Sequence, residues 1–285
     1  MTSQTRSIGL IAGQGVLPIL VAQGIRQAGH RVSCVGLRGQ YHQELPQYCD
    51  DFAVAGIVRL GRWIRLMRRW RLHEAVMVGR VGKERMHDPF RVLRQIPDWR
   101  AFCLWYRALR HDRRTPALLT AVAEELYKCG ITLMDSTKYI PEHMATSGII
   151  GQHSLSNQQQ LDLDLGWPLL EQIVELDIGQ CLTIRDSDVI AVEAVEGTDA
   201  VIDRTAMLCK SKGWTLMKST KPSHDMRADV PSIGPQTVER VAAAGGRCIA
   251  MGVGRVILLD RPAVIETADR LGVTLVGIPI AANAQ

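Results

Sequence analysis

At 285 residues the chain has room for two domains with cores of their own, and its 46% hydrophobic and 22% charged residues give the balance of a soluble globular protein. No apolar run reaches the roughly 18 to 20 residues that a membrane span needs. The net charge of +5 is split unevenly: residues 1–142 hold 22 Lys and Arg against 12 Asp and Glu, the remainder 12 against 17. The first part therefore suits anions or an anionic membrane surface, and the second a metal.

In chain order, SIGLIAG (7–13) reads as a buried strand, followed by a helix through 17–29 and a second strand at 30–37. A helical stretch at 61–72 leads to a strand at 74–79, helical patterns near 98–110 and 115–129, and a strand at 131–135. This alternation predicts a parallel sheet covered on both faces, so residues 1–142 form a Rossmann-like α/β domain. Residues 143–160, polar and without periodic apolar positions, read as a linker. Residues 161–285 form a second, mixed α/β domain. Its predicted elements are a helix at 161–175, strands at 181–184 and 188–196, a helix at 198–211, a strand at 214–218 and a helix at 235–244. Strands at 248–251 and 256–260, a helix at 262–271 and a strand at 273–278 complete it.

The start, MTSQTRSIGLIAGQG, lacks the basic head, apolar stretch and cleavage site of a signal peptide, so a cytoplasmic location is expected. Seven cysteines (34, 49, 103, 129, 181, 209, 248) are scattered at spacings of fifteen residues or more. They fit neither a disulfide framework nor a zinc site and read as reduced and mostly buried.

Four stretches carry chemistry. In GLIAGQGVLP (9–18), Gly13 and Gly15 stand between strand and helix, where backbone amides can approach an anion; a tight turn without a ligand is the alternative. The glycine fingerprint for NAD is incomplete. Arg38 follows the second strand where NAD would want an acid, which keeps an NADP-dependent oxidoreductase open. RLGRWIRLMRRWRLH (59–73) carries six arginines opposite an apolar stripe of Leu60, Trp63, Ile64, Met67 and Trp70. It reads first as a helix packing on the sheet, with an anionic membrane surface as a partner for its arginine face. No nucleic-acid module motif accompanies this basic patch.

In AVEAVEGTDA (191–200), Glu193, Glu196 and Asp199 lie at a strand end, with Thr198 and Asp199 opening a helix. They read as helix capping or as a magnesium (Mg2+) environment, since magnesium is held by one or two carboxylates with waters and phosphates completing its shell. In KSTKPSHDMRADVPSIGP (218–235), prolines at 222 and 231 stiffen a loop holding Lys218, Lys221, His224, Asp225, Arg227 and Asp229. Opposite charges held together are what phosphoanhydride hydrolysis needs: carboxylates for metal or water, cations for charge developing on phosphorus.

The pieces GLIAGQGVLP, LDIGQCLTI (176–184), AVEAVEGTDA, KPSHDMRADVPSIGPQTV (221–238) and GRVILLD with DRLGVTLVGI together resemble the LpxI-type UDP-2,3-diacylglucosamine pyrophosphatases of lipid A biosynthesis. The resemblance implies two domains, a homodimer and magnesium-dependent hydrolysis of UDP-2,3-diacylglucosamine; the expected location is the cytoplasm, with peripheral contact on the inner membrane. Water attacks the α-phosphorus, giving UMP and 2,3-diacylglucosamine 1-phosphate. The essential family aspartate of the D-x-R motif falls on Asp225, as magnesium ligand or as orienter of the water.

On this reading Asp225, with Glu193, Glu196 or Asp199, holds the metal. Lys218, Lys221 and Arg227 neutralise phosphate oxygens, while Gly13, Gly15, Thr198, Asp229 and His224 contact substrate. The chain departs from the family pattern at Ser223-His224, where Gly-Gln is expected, and at His111 to Thr115, where Gly-Asp-Asp is expected. The rivals are the NADP oxidoreductase, a membrane-binding or nucleic-acid-binding module built on 59–73, and a hydrolase of another nucleotide sugar.

Overall fold

The computed structural model describes residues 5–81, 97–104, 106, 115–227 and 230–280. The chain divides into two compact units: the first takes Met1–Ile140 and the short segment Asp225–Asp229, the second Pro141–His224 and Val230–Gln285.

The first unit is built on five parallel strands: β1 (Ser7–Ala12), β2 (Arg31–Leu37), β3 (Asp51–Ala55), β4 (Glu74–Val78) and β5 (Thr132–Leu133). Their order is β3-β2-β1-β4-β5, the Rossmann-like winding expected. β1 and β2 are almost wholly apolar because strands in the middle of a parallel sheet are covered on both faces. β3, DFAVA, was not expected as a strand. It is an edge strand of five residues, mostly half-buried, and its apolar run Phe52–Ala55 is too short to tell strand from helix by periodicity.

The helix Leu60–Arg69 buries Leu60, Trp63, Ile64 and Met67 in the core beside Ile11, Val35 and Leu126. Full burial of such side chains stabilises by about 1.5–3 kcal/mol each. Arg62, Arg65, Arg68 and Arg69 are left on the exposed face. The arginine-opposite-apolar pattern is thus first of all a sheet-packing helix, as read.

The second unit holds β6 (Gly148–Ile150), β7 (Cys181–Arg185), β8 (Asp188–Val192), β9 (Trp214–Lys218), β10 (Ser232–Ile233), β11 (Gly246–Gly252), β12 (Ile257–Leu258) and β13 (Thr274–Ile278). Six of them make a mixed sheet in the order β6-β13-β11-β9-β7-β8. β9, β11 and β13 run parallel, while β6 and β7 are antiparallel to their neighbours and β8 to β7. The pleat sorts alternate residues to opposite faces. Trp214, Leu216, Ile249 and Met251 meet Val201, Val238 and Val264, whereas Met217, Cys248 and Ala250 meet Leu163, Trp167 and Leu170.

The stretch 143–160, expected as a linker, is structured at both ends. β6 pairs with β13, and Ser156 caps the helix Asn157–Glu175 through a reciprocal bond pair with Gln159. That capping box starts the helix at 157 rather than 161. The strand expected at 256–260 shrinks to β12, which leaves the large sheet and pairs with β10. Among the described residues no helix is long and apolar enough to cross a membrane.

Candidate active site

The Gly13 turn explains itself without a ligand. Gly13 N–H donates to Val78 O at 2.8 Å and Gln14 N–H to Arg80 O at 2.7 Å, so two amides of the turn are already used. A Cβ on Gly13 would stand 2.6 Å from Arg80 O, so close backbone approach requires glycine there. Gly15 has φ of 97°, a left-handed turn residue with open space around it.

A buried polar cluster forms at the end of β9 in the second unit. Lys218, its last residue, pairs across the sheet with Cys181, the first residue of β7. Glu193, just past β8, donates its N–H to Cys181 O at 2.9 Å. Lys218 is only 6% exposed and Glu193 only 7%. Lys218 Nζ donates to Thr198 Oγ1 at 2.7 Å, and that hydroxyl donates to Glu193 Oε1 at 3.2 Å. Gln180 N–H donates to Glu193 Oε2, also at 3.2 Å.

Gly179 presses so closely on the Glu193 carbonyl that a Cβ would collide with it. Thr198 is also the first residue of the helix Thr198–Leu208, whose N-terminus carries partial positive charge. Burial, reinforced by the Glu193 carboxylate, pushes the Cys181 thiol well above its usual range; Lys218 opposes this. Among the described residues Thr198 is the acceptor that Lys218 meets, which leaves two of the three ammonium hydrogens unspent.

The other two acids of that stretch face elsewhere. Glu196 accepts the Ala194 N–H at 3.0 Å and pairs with Arg204 at 3.0 Å. Backbone hydrogen bonds, its own N–H first, and Arg204 hold its carboxyl below the usual range. Asp199 is exposed in the first helical turn. Among the described residues no group of three or more His, Cys, Asp or Glu side chains converges as a metal site, and Glu193, Glu196 and Asp199 stand in three different surroundings.

Lys221 donates to Asp177 Oδ2 at 2.7 Å, an ion pair that ties the loop to the turn after the long helix. His224 donates its N–H to Lys221 O at 3.0 Å, while its Nε2 is buried with no hydrogen-bond partner among the described residues.

Asp225 and Arg227 belong to the first unit. Arg227 Nε reaches both carboxylate oxygens of Asp225, at 2.8 and 3.0 Å, and a terminal nitrogen donates to Oδ2 at 2.6 Å. Hydrogen bonding to Asp225, with further help from Glu124, holds the guanidinium above its usual range. Between them the Met226 carbonyl accepts from both Ser136 N–H at 2.9 Å and Ser136 Oγ at 2.8 Å. Arg227 lines a shallow groove with Glu124, Tyr127, Lys128 and Thr132.

Asp229 and residues 111–114 lie outside the described residues. Sequence reasoning passed over Asp177, Gly179, Cys181 and Ser136. Asp177, Gly179 and Cys181 sit inside LDIGQCLTI, a block quoted whole but not resolved into partners. Nothing local marked Ser136, because its partner is 90 residues away.

The chain matches two family models, the LpxI N-terminal domain over residues 7–143 and the LpxI C-terminal domain over residues 146–276. It is similar to a Caulobacter vibrioides protein described as UDP-2,3-diacylglucosamine pyrophosphatase LpxI. The two are 31% identical over 281 residues, covering 96% of this chain and 98% of the relative.

Proposed function

Since the chain belongs to the LpxI family, we propose that it is a hydrolase that splits the pyrophosphate of UDP-2,3-diacylglucosamine in lipid A biosynthesis, releasing UMP and 2,3-diacylglucosamine 1-phosphate. The observation that supports this best is the near-complete overlap with one relative of that named activity, both halves included. The D-x-R pair lies within it, with Asp225 and Arg227 in bidentate contact on a turn anchored by Ser136.

In the proposed reaction water attacks the α-phosphorus. Arg227 neutralises phosphate oxygens; its planar fork matches phosphate as well as carboxylate. A diphosphate would compete with Asp225 for that guanidinium, and the carboxylate so released would orient the water or hold the ion. Within the second unit Lys218 is the candidate cation for a phosphate, with two hydrogens to spend and little entropy to lose because it is already buried. Lys221 has its charge engaged by Asp177, and we assign it to holding the loop.

The donor set suits magnesium in part. Asp225 offers hard oxygens on an exposed residue, and one or two carboxylates suffice when substrate phosphates complete the shell. Bound there, magnesium would supply charge neutralisation on the diphosphate. The finer reading also includes a cytoplasmic homodimer. It includes contact of the exposed arginines 62, 65, 68 and 69 with anionic headgroups of the inner membrane, where a diacylated substrate resides. Gly13 is assigned to the fold of the turn, since the Gly13 and Gln14 amides an NADP phosphate would need are spent on Val78 and Arg80.

The test is to incubate the protein with magnesium and UDP-2,3-diacylglucosamine and to assay UMP with and without chelator. UMP that appears only with the metal, and depends on the acyl chains, supports the reading. No UMP under any condition, or equal turnover of unacylated nucleotide sugars, overturns it.

A further inference from the structure

Buried charges need partners, and the usual partner is a direct ion pair. Lys218 and Glu193 are both more than nine-tenths buried, yet they form no direct salt bridge. Thr198 stands between them, accepting from the ammonium at 2.7 Å and donating to the carboxylate at 3.2 Å. A direct pair would direct the ammonium hydrogens to the carboxylate. A hydroxyl between them keeps a balancing negative charge close while leaving the ammonium two hydrogens for an incoming anion.

The carboxylate is itself fixed. Gln180 N–H holds its other oxygen, the Glu193 N–H is held by Cys181 O, and Gly179 packs on the Glu193 backbone. Groups that only cap a helix are not usually buried behind it in this way: Thr198 has no capping contact with its own helix, and the N-cap position is Gly197.

We infer that Glu193 is a positioning residue for Lys218, acting through the Thr198 hydroxyl, rather than a metal ligand. Its carboxylate keeps the ammonium aimed for a substrate phosphate. This deepens the function proposed above and rests on it.

The test combines a magnesium titration with a double-mutant cycle. Glu193→Gln, which keeps the side-chain shape, should lower kcat/KM roughly 10- to 100-fold, the range typical of supporting partners. The magnesium concentration at half-maximal rate should stay as in wild type. Lys218→Met should lose more, and Lys218→Met with Glu193→Gln should be no worse than Lys218→Met alone, because one residue acts through the other.

Thr198→Ser should retain activity, and the isosteric Thr198→Val should fall to the level of Glu193→Gln. These two variants keep the inference testable should Glu193→Gln not fold. A raised magnesium requirement in Glu193→Gln, multiplying losses in the double variant, or a fully active Thr198→Val would overturn it. Failure of the underlying reading looks different: the unaltered protein would then release no UMP, or would turn over unacylated nucleotide sugars equally well. An inactive Asp225→Ala beside a wild-type-like Glu193→Gln sinks the role of Glu193 alone.

Discussion

Arg227 and Asp225, two residues apart, share three side-chain hydrogen bonds of 2.6 to 3.0 Å, and the Arg227 N–H adds a fourth contact to Asp225 Oδ1 at 3.1 Å. The turn itself sets this geometry, as Asx turns do. Both side chains are partly exposed, and a pair of that kind contributes only about 0–1 kcal/mol to stability. Its arrangement therefore matters more to chemistry than to folding.

Asp225→Ala should lower UMP release by at least about 100-fold while the melting temperature stays within about 3 °C of wild type. Arg227→Lys keeps the charge but loses the bidentate fork, so a loss of roughly 10-fold or more is expected in kcat/KM. Steady-state kinetics beside thermal melts check both. Near-normal turnover by Asp225→Ala would remove the catalytic assignment.

Ser136→Ala deletes one of two donors to the Met226 carbonyl and leaves the backbone one. A cost of about 0.5–1.5 kcal/mol in unfolding free energy is expected. Because displacement by about 1 Å can cost on the order of 100-fold in rate, turnover should fall further than stability does. A urea midpoint and kcat measured on the same preparation test this; unchanged kcat would mean that the turn is held by other contacts.

Gly179→Ala brings a Cβ into the Glu193 carbonyl, and backbone cannot yield as a side-chain end can. Destabilisation of about 1–3 kcal/mol is expected, read as a lower denaturant midpoint. By contrast, Asp177→Asn frees Lys221 at an exposed ion pair and should change stability by less than about 1 kcal/mol.

The buried thiols give a pH dependence. Burial raises Cys34 and Cys181 and pushes Cys248 up to about 12, against an unfolded value of about 8.5. The unfolded chain thus releases these protons first. The stability they contribute is whole below about pH 8.5 and declines as pH rises toward the folded values. Urea midpoints should drop between pH 8.5 and 10. At pH 8, Cys34, Cys181 and Cys248 should resist a thiol reagent until urea is added. Rapid labelling of all three in the folded protein would contradict their burial.

Much of the fold is legible because it rests on local periodicity. The apolar runs at 7–13 and 30–37 become β1 and β2, and Trp63 and Met67 turn inward as spacing requires. What stays hidden depends on distant partners. Gly148–Ile150 is a strand only because β13 offers an edge, and Ile257–Leu258 leaves the large sheet because Ser232–Ile233 draws it away.

The candidate site divides the same way. Asp225 and Arg227 could be singled out because the D-x-R motif of the resembled family holds both within three residues, whereas the Lys221–Asp177 and Lys218–Thr198–Glu193 contacts span five to 44 positions and appear only after folding. Glu193, Glu196 and Asp199 look alike as letters in a row. Strand pleat and helix onset send them to different surroundings.

The Met226 carbonyl binds the N–H and hydroxyl of Ser136, although the two residues are encoded 90 positions apart, with the Pro141–His224 segment of the second unit between them in the chain. Any genetic exchange with a breakpoint between them would unite a serine and a turn with separate histories. The two stretches should consequently descend as a matched set, and hybrids of diverged relatives should regain turnover only when both are drawn from one parent.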